Sequence, residues 1–294
     1  MMPVVIAGYK RSPFHFAHKG QLVKKRPDDL AADVVRGLIE SSGVDPAGIE
    51  DLIMGCAFPE GEQGMNVARI VGLLSDLPIS VAGVTVNRFC GSSMQSIHIA
   101  AGAIQMNAGE AFICAGVESM SRIPVGGFNP MPNADLYERN EGAYMAMGET
   151  AENLAQKYQI PREEQEQLAV SSHAKATAAR EEGRFADEIV PVDCDGETID
   201  QDGCIRPGTN LEKLASLEPA FDAEGTVTAA TSSPLTDGAA AVLVCTEEFA
   251  AANKLDVLAS IKSIAVAGCQ PEIMGYGPVV STAKALERAG IRMS

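Results

Sequence analysis

Short apolar runs alternate with helical-period segments through the first 118 residues, and no other feature of the chain limits its fold as much. The runs "VVIAG" (4–8), "IEDLIMGCA" (49–57), "SVAGVTVN" (80–87) and "AFICAGVE" (111–118) are strand-length and almost continuously apolar. Between them lie "RPDDLAADVVRGLIESSG" (26–43), "MNVARIVGLLSDL" (65–77) and residues 90–107. In the last of these Met94, Ile97, Ala101 and Ile104 recur every three or four positions, which is the period of a helix. Pro27 stands near the start of the first helical segment and Gly43 just past its end, and Pro78 closes the second. Strands that are apolar on both faces and alternate with helices predict a parallel α/β sheet covered on both sides.

The texture changes after Ser119. Residues 121–144, "SRIPVGGFNPMPNADLYERNEGAY", read as a long ordered loop. Two helices are predicted next, 148–158 and 161–183, the second opened by Pro161 and closed by Gly183. Segment 188–210 reads as short strands with turns, and the α/β texture returns over 225–254. A new strand is predicted at 259–268 and a new helix at 280–290. The organisation expected is therefore a core of 1–118 and 226–258, interrupted by an inserted 119–225, with a further α/β segment beginning at 259–294.

Composition removes several function classes. The 23 Lys and Arg against 39 Asp and Glu give a net charge of −16, a poor match to nucleic acid or an anionic membrane surface. No apolar run approaches the ~18 residues of a membrane-spanning helix, and "MMPVVIAGYK" lacks the layout of a secretion signal. The seven cysteines are scattered, odd in number and without a CxxC pair, so a reduced, cytoplasmic setting is expected and no zinc ligand cluster is present.

One cysteine differs from the others in its position. Cys56, Cys114 and Cys245 sit inside apolar strand-like runs and read as small buried hydrophobes, while Cys194, Cys204 and Cys269 lie in turn-like settings. Cys90, in "VNRFCGSSMQSI", falls where a strand hands over to a helix and is followed by Gly91, Ser92 and Ser93. A helix start offers unpaired N–H groups and the positive end of the dipole, both of which stabilise a thiolate or an oxyanion. Gly91 leaves room for a ligand to approach. The layout follows the logic of the strand–turn–helix serine elbow of hydrolases.

That segment resembles the nucleophile segment of the thiolases, the acyl-CoA acetyltransferases. "AGVESMSRIP" (115–124), "MGETAENLA" (147–155), "GTVTAATSSPLTDGAAA" (225–241) and "MGYGPV" (274–279) resemble further thiolase segments in family order. The TSSPLTDGAAA form is closer to the branch serving fatty-acid β-oxidation. The resemblance implies an αβαβα layered fold of two similar α/β halves with a loop domain inserted in the first. On this reading 259–294 is the start of an incomplete second half. It implies acyl transfer between a 3-ketoacyl-CoA and coenzyme A, by thiolysis or the reverse condensation of acetyl-CoA, through a thioester on Cys90. The Cys90 N–H would serve one oxyanion hole, Ser233 would contact the pantetheine arm, and Met147 would border the acyl pocket. Plainer readings are a turn-capping serine and a packing methionine. Coenzyme A is a substrate in this chemistry and no cofactor is implied. The complete family implies a homodimer or homotetramer, and a β-oxidation partner subunit is a further candidate.

The base for Cys90 is missing from the sequence pattern. His98 lies eight residues along the same helix, roughly 12 Å away at ~1.5 Å rise per residue. His15 and His18 sit in a loop-like "SPFHFAHKG", and His173 lies in a charged, solvent-facing stretch. The family's N-E-A-F, G-H-P and C-x-G-x-G segments, which the resemblance assigns to the second oxyanion hole and the acid–base groups, do not occur in these 294 residues. Three expectations follow: a thiolase-type enzyme represented by a fragment, a catalytically silent thiolase-like module that binds acyl-CoA or a partner subunit, or a carrier-protein-dependent condensing relative. The MG-x-TAE and GTVTA segments favour thiolase over the third.

Overall fold

A computed structural model describes residues 2–293. In chain order the elements are β1 (Val4–Arg11), β2 (His15–Phe16), α1 (Pro27–Ser42), β3 (Asp51–Gly55), α2 (Val67–Leu74), β4 (Ala82–Val86), α3 (Ser92–Gln105) and β5 (Ala111–Ser119). There follow α4 (Ala134–Arg139), α5 (Met147–Tyr158), α6 (Arg162–Glu181), β6 (Val192–Cys194), β7 (Glu197–Ile199) and α7 (Leu211–Ala215). The last are β8 (Thr236–Thr246), α8 (Glu247–Ala252), β9 (Ala259–Ser260) and α9 (Gly277–Ala289). The chain forms two compact units. The first holds 1–129, 185–204 and 235–262, and the second 130–184, 205–234 and 263–294.

The first unit is built on one sheet in the order β4-β3-β5-β8-β1-β9, with β2 paired to β8. Strands β3, β4 and β5 are mutually parallel, as the alternation predicts. The all-parallel expectation is corrected at β8, which runs antiparallel to both β5 and β1. The right-handed crossover that makes neighbours parallel needs a helix returning over the sheet. Between β5 and β8 the chain instead leaves at Ser119 and re-enters beside it, with Ser119 paired to Asp237. Buried Asp237 fixes this point by accepting hydrogen bonds from the Ser119 hydroxyl (3.1 Å) and the Ser121 N–H (2.9 Å).

Both faces of the central strands β3, β5 and β8 are covered, which explains their continuous apolar sequences, whereas the edge strand β4 is exposed or half-buried throughout. Leu52, Met54, Ile113, Ala115 and Leu243 point into one core with Leu30, Val34, Val35 and Leu38 of α1 and Val67 and Val71 of α2. Their sequence neighbours Ile53, Phe112, Cys114 and Val244 point the other way, against Ala100, Ala101 and Ile104 of α3. The period of two along each strand thus supplies both cores. Helix α1 has Pro27 in its first turn and ends at Gly43 in the left-handed conformation (φ 68°), as its sequence signals require. The β6–β7 hairpin turns at Asp195-Gly196, both at positive φ, the signature of a tight hairpin turn.

Several expectations need correction. The predicted strand at 259–268 is regular only at Ala259–Ser260, which pairs with β1; the residues after it have no strand partner in the described sheet. The expected loop at 121–144 contains α4, capped by the Asn133 side chain, which accepts from the Leu136 N–H at 2.9 Å. Helix α2 starts two residues late because Met65 and Asn66 both have positive φ.

In the second unit the thiolase-like motifs hold one another. Glu152 of α5 accepts hydrogen bonds from the Thr226 N–H (3.0 Å) and the Val227 N–H (2.7 Å), joining MG-x-TAE to GTVTA. A Cβ on Gly148 would lie 2.1 Å from the Phe221 ring, so only glycine admits that packing. Glu149 accepts from the Ala146 N–H at 2.8 Å and closes the first turn of α5.

Candidate active site

Cys90 is exposed, in a five-residue turn between β4 and α3. The turn lies at the carboxyl ends of the parallel strands, where open α/β sheets place their ligands. Phe89, immediately before Cys90, has φ 45°, a left-handed conformation that costs a non-glycine residue ~1–2 kcal/mol. Ser92 locks the turn: it is buried, its hydroxyl donates to the Phe89 carbonyl (2.6 Å) and accepts from the Arg88 N–H (2.8 Å). The Gly91 N–H closes onto the Arg88 carbonyl at 3.0 Å.

Two glycines outside the motif let α3 come this close to the sheet. A Cβ on Gly55, the last residue of β3, would sit 2.4 Å from the Ser92 carbonyl carbon and the Ser93 nitrogen. A Cβ on Gly116 of β5 would sit 1.9 Å from the Ser93 hydroxyl oxygen. The serines after Cys90 are therefore small because strand backbone lies directly beneath them. Gly91 differs. Its φ is −88°, and a Cβ there would meet nothing nearer than the Arg88 carbonyl oxygen at 3.4 Å. A Cβ at position 91 would therefore make ordinary contact with Arg88, and the packing of this turn does not require glycine there.

The three histidines of the first unit serve elsewhere. His15 is buried in β2, not in a loop as its sequence suggests, and both ring nitrogens are engaged: Nε2 with the Gln201 carbonyl (2.9 Å) and Nδ1 accepting from the Gln21 N–H (3.4 Å). His18 adopts φ 64° and its N–H donates to the Ser121 hydroxyl. His98 is half-buried on α3, and burial, with the Arg88 charge adding to it, lowers its pKa. No histidine or carboxylate of this unit hydrogen-bonds the Cys90 sulfur among the described residues. In the second unit His173 accepts from the Arg206 N–H at 3.3 Å, Met147 is the exposed first residue of α5, and Ser233 is exposed in the coil before β8.

The buried cysteines behave as their strand positions predict. Burial pushes the Cys56 and Cys114 thiols up to about 12, with the Glu118 charge adding to the effect at Cys56, and burial pushes Cys245 to about 11. Such thiols stay protonated in the folded chain while the unfolded chain releases their protons above about pH 8.5. Stability is therefore fully present below about pH 8.5 and falls as pH rises toward the folded values, by at most about 1.4 kcal/mol per pH unit for each thiol. Urea denaturation between pH 8 and 9.5 should show this loss, and Cys114→Ala should reduce its slope. An unchanged slope would exclude Cys114 as a contributor.

The structure also shows two open grooves. One of about 470 Å³ is lined by Arg162, Glu163, Glu166, Leu211 and Ala215, and one of about 510 Å³ by residues including His18, Lys19, Lys24 and Asp195; neither contains Cys90. No group of three or more metal-ligating side chains is assembled among the described residues. No described helix is long and apolar enough to cross a membrane.

An exposed thiol on a strand–turn–helix elbow, at the carboxyl ends of the parallel strands, sits here in a layered α/β protein. The profile described as "Thiolase, N-terminal domain" matches residues 4–248. The 3-ketoacyl-CoA thiolase of Bacillus subtilis is 44% identical over 306 aligned residues, which take in 100% of this chain and 78% of that protein. The 3-ketoacyl-CoA thiolase of Acinetobacter baylyi is 48% identical over 298, with 99% and 76% covered. The crystal structure of human mitochondrial 3-ketoacyl-CoA thiolase in complex with CoA superposes with a TM-score of 0.88 at 34% identity, covering 99% of this chain and 76% of that one. The chain belongs to the thiolase family of acyltransferases and has its α/β fold.

Proposed function

We propose that this chain is the nucleophile-bearing part of a 3-ketoacyl-CoA thiolase. It binds an acyl-CoA, takes the acyl group onto Cys90, and by itself turns over no substrate. The Cys90 thiolate attacks the thioester carbonyl carbon, the bond from that carbon to the coenzyme A sulfur breaks, and the coenzyme A thiolate leaves and is protonated by solvent. The Cys90 N–H, at the start of α3, donates to the carbonyl oxygen as it gains charge. Ser233 contacts the pantetheine arm and Met147 borders the acyl chain. Residues 119–225 act as the inserted loop domain, and 259–294 begin the second half of the thiolase fold. Association as a homodimer or homotetramer, a β-oxidation partner subunit and a cytoplasmic setting belong to the same reading.

The observation that carries this reading is an exposed cysteine in the turn that opens α3, with no histidine or carboxylate of its unit on the sulfur among the described residues. Peptide mapping after brief iodoacetamide treatment at pH 7.5 tests it. Cys90 should react at least about a hundredfold faster than Cys56, Cys114 or Cys245, because the thiolate is the reactive form and those three are buried and held protonated. Equal labelling would overturn the assignment of Cys90.

A further inference from the structure

The Asn87 side chain ties the turn carrying Cys90 to the loop after β3. Its Nδ2 donates to the Ala57 carbonyl (2.9 Å), and its Oδ1 accepts from the Phe89 N–H (2.8 Å). Ala57 is itself anchored, since its N–H donates to Glu118 Oε2 at 2.8 Å. The other Glu118 oxygen accepts from Gln63 Nε2 at 2.7 Å, and Gln63, fully buried, also accepts from the Ser119 N–H at 2.6 Å. A continuous chain of hydrogen bonds thus runs from the end of β5, through the loop after β3, to the residue before the cysteine. The Phe58 ring lies against the Phe89 ring from the same loop, with centroids 6.0 Å apart.

Phe89 is the strained residue of this turn, and its conformation sets the direction in which Cys90 leaves the chain. A left-handed φ at a bulky residue persists only where its surroundings over-determine it. Ser92 holds the Phe89 carbonyl and Asn87 holds its N–H, so the peptide on each side of Phe89 is fixed by a side chain. We propose that Asn87 is a positioning residue for the Cys90 nucleophile, fixing the Phe89 conformation so that the Cys90 thiol and N–H address the same carbonyl group. The proposal rests on Cys90 being the acyl acceptor. Asn87 touches no reacting atom and acts through Phe89.

Two reactions of the same thiol separate positioning from general structural support. Alkylation by iodoacetamide needs a reachable thiolate, whereas acylation by acetyl-CoA also needs the Cys90 N–H aligned with the thioester oxygen. Both rates are measured at pH 8.5 by intact mass on the 294-residue chain, on Asn87→Ala and on Asn87→Asp, with Cys90→Ala as the site control. Asn87→Ala should lower acylation about tenfold while alkylation changes less than about threefold. Asn87→Asp keeps the acceptor for the Phe89 N–H and should recover most of the acylation rate. Equal loss in both reactions, or acylation unaffected by Asn87→Ala, overturns the positioning role. Absence of any Cys90 acetyl adduct on the unsubstituted chain overturns the acyl-acceptor reading itself, and the positioning role with it.

Discussion

A Gly55→Ala chain is expected to lose about 2–3 kcal/mol of stability, a large effect for one methyl group. The new Cβ would lie 2.4 Å from the backbone of Ser92 and Ser93, so no side chain can rotate away and the start of α3 must move off β3. Overpacking of this kind costs ~1–3 kcal/mol, and a clash with backbone belongs at the upper end. Thermal unfolding should show a midpoint lowered by roughly 3–5 °C for a chain of this size. Gly91→Ala provides the contrast: with φ −88° and a nearest contact of 3.4 Å, it should cost less than about 1 kcal/mol while still slowing reaction of Cys90 with an acyl-CoA. Equal midpoints for the two variants would mean that α3 does not depend on the strand glycine for its approach.

The second large effect is on catalysis. The 294-residue chain is expected to show no thiolysis above background, although Cys90 is exposed and well placed. Among the described residues no histidine or carboxylate of its unit bonds the sulfur, and the N-E-A-F, G-H-P and C-x-G-x-G segments do not occur in the sequence. Lack of a general base costs ~10²–10⁴ in rate. Lack of oxyanion donors costs a further ~10²–10³. The two are not strictly additive, yet either alone brings an ordinary turnover of ~10 s⁻¹ to ~0.1 s⁻¹ or below. Acylation of Cys90 needs less than turnover does, because a solvent-generated thiolate can exchange with a thioester slowly and without protonating a carbanion.

Local signals made much of this legible in advance. Pro27 and Gly43 bound α1, the apolar period located α3, and the strand–Cys-Gly-Ser-Ser–helix order located the turn that holds the exposed Cys90. The direction of β8 was not legible, because an apolar strand reads the same whether its neighbour is parallel or antiparallel; pairing Ser119 with Asp237 is a tertiary event. The predicted strand at 259–268 failed for a related reason. β-propensity there is real, but a strand exists only with a partner, and β1 offers one only to Ala259 and Ser260. Helix α4 did leave a signal that the loop reading passed over, since Asn133 is a good N-cap and Asp135 suits the first turn. At the site, Gly55, Gly116, Asn87 and Glu118 were missed because each is needed only once α3 lies across the sheet end, and nothing in their own segments records that approach.

Steady-state thiolysis of acetoacetyl-CoA and of a longer 3-ketoacyl-CoA by the purified chain, beside Cys90→Ala and with the chain's mass followed in parallel, tests the central claim most directly. The account predicts slow accumulation of at most one acyl group per chain, located on Cys90, with no sustained turnover that Cys90→Ala removes. Cys90-dependent turnover above about 1 s⁻¹, the low end of ordinary enzymes, would contradict it and would mean that these residues contain a base for Cys90 after all.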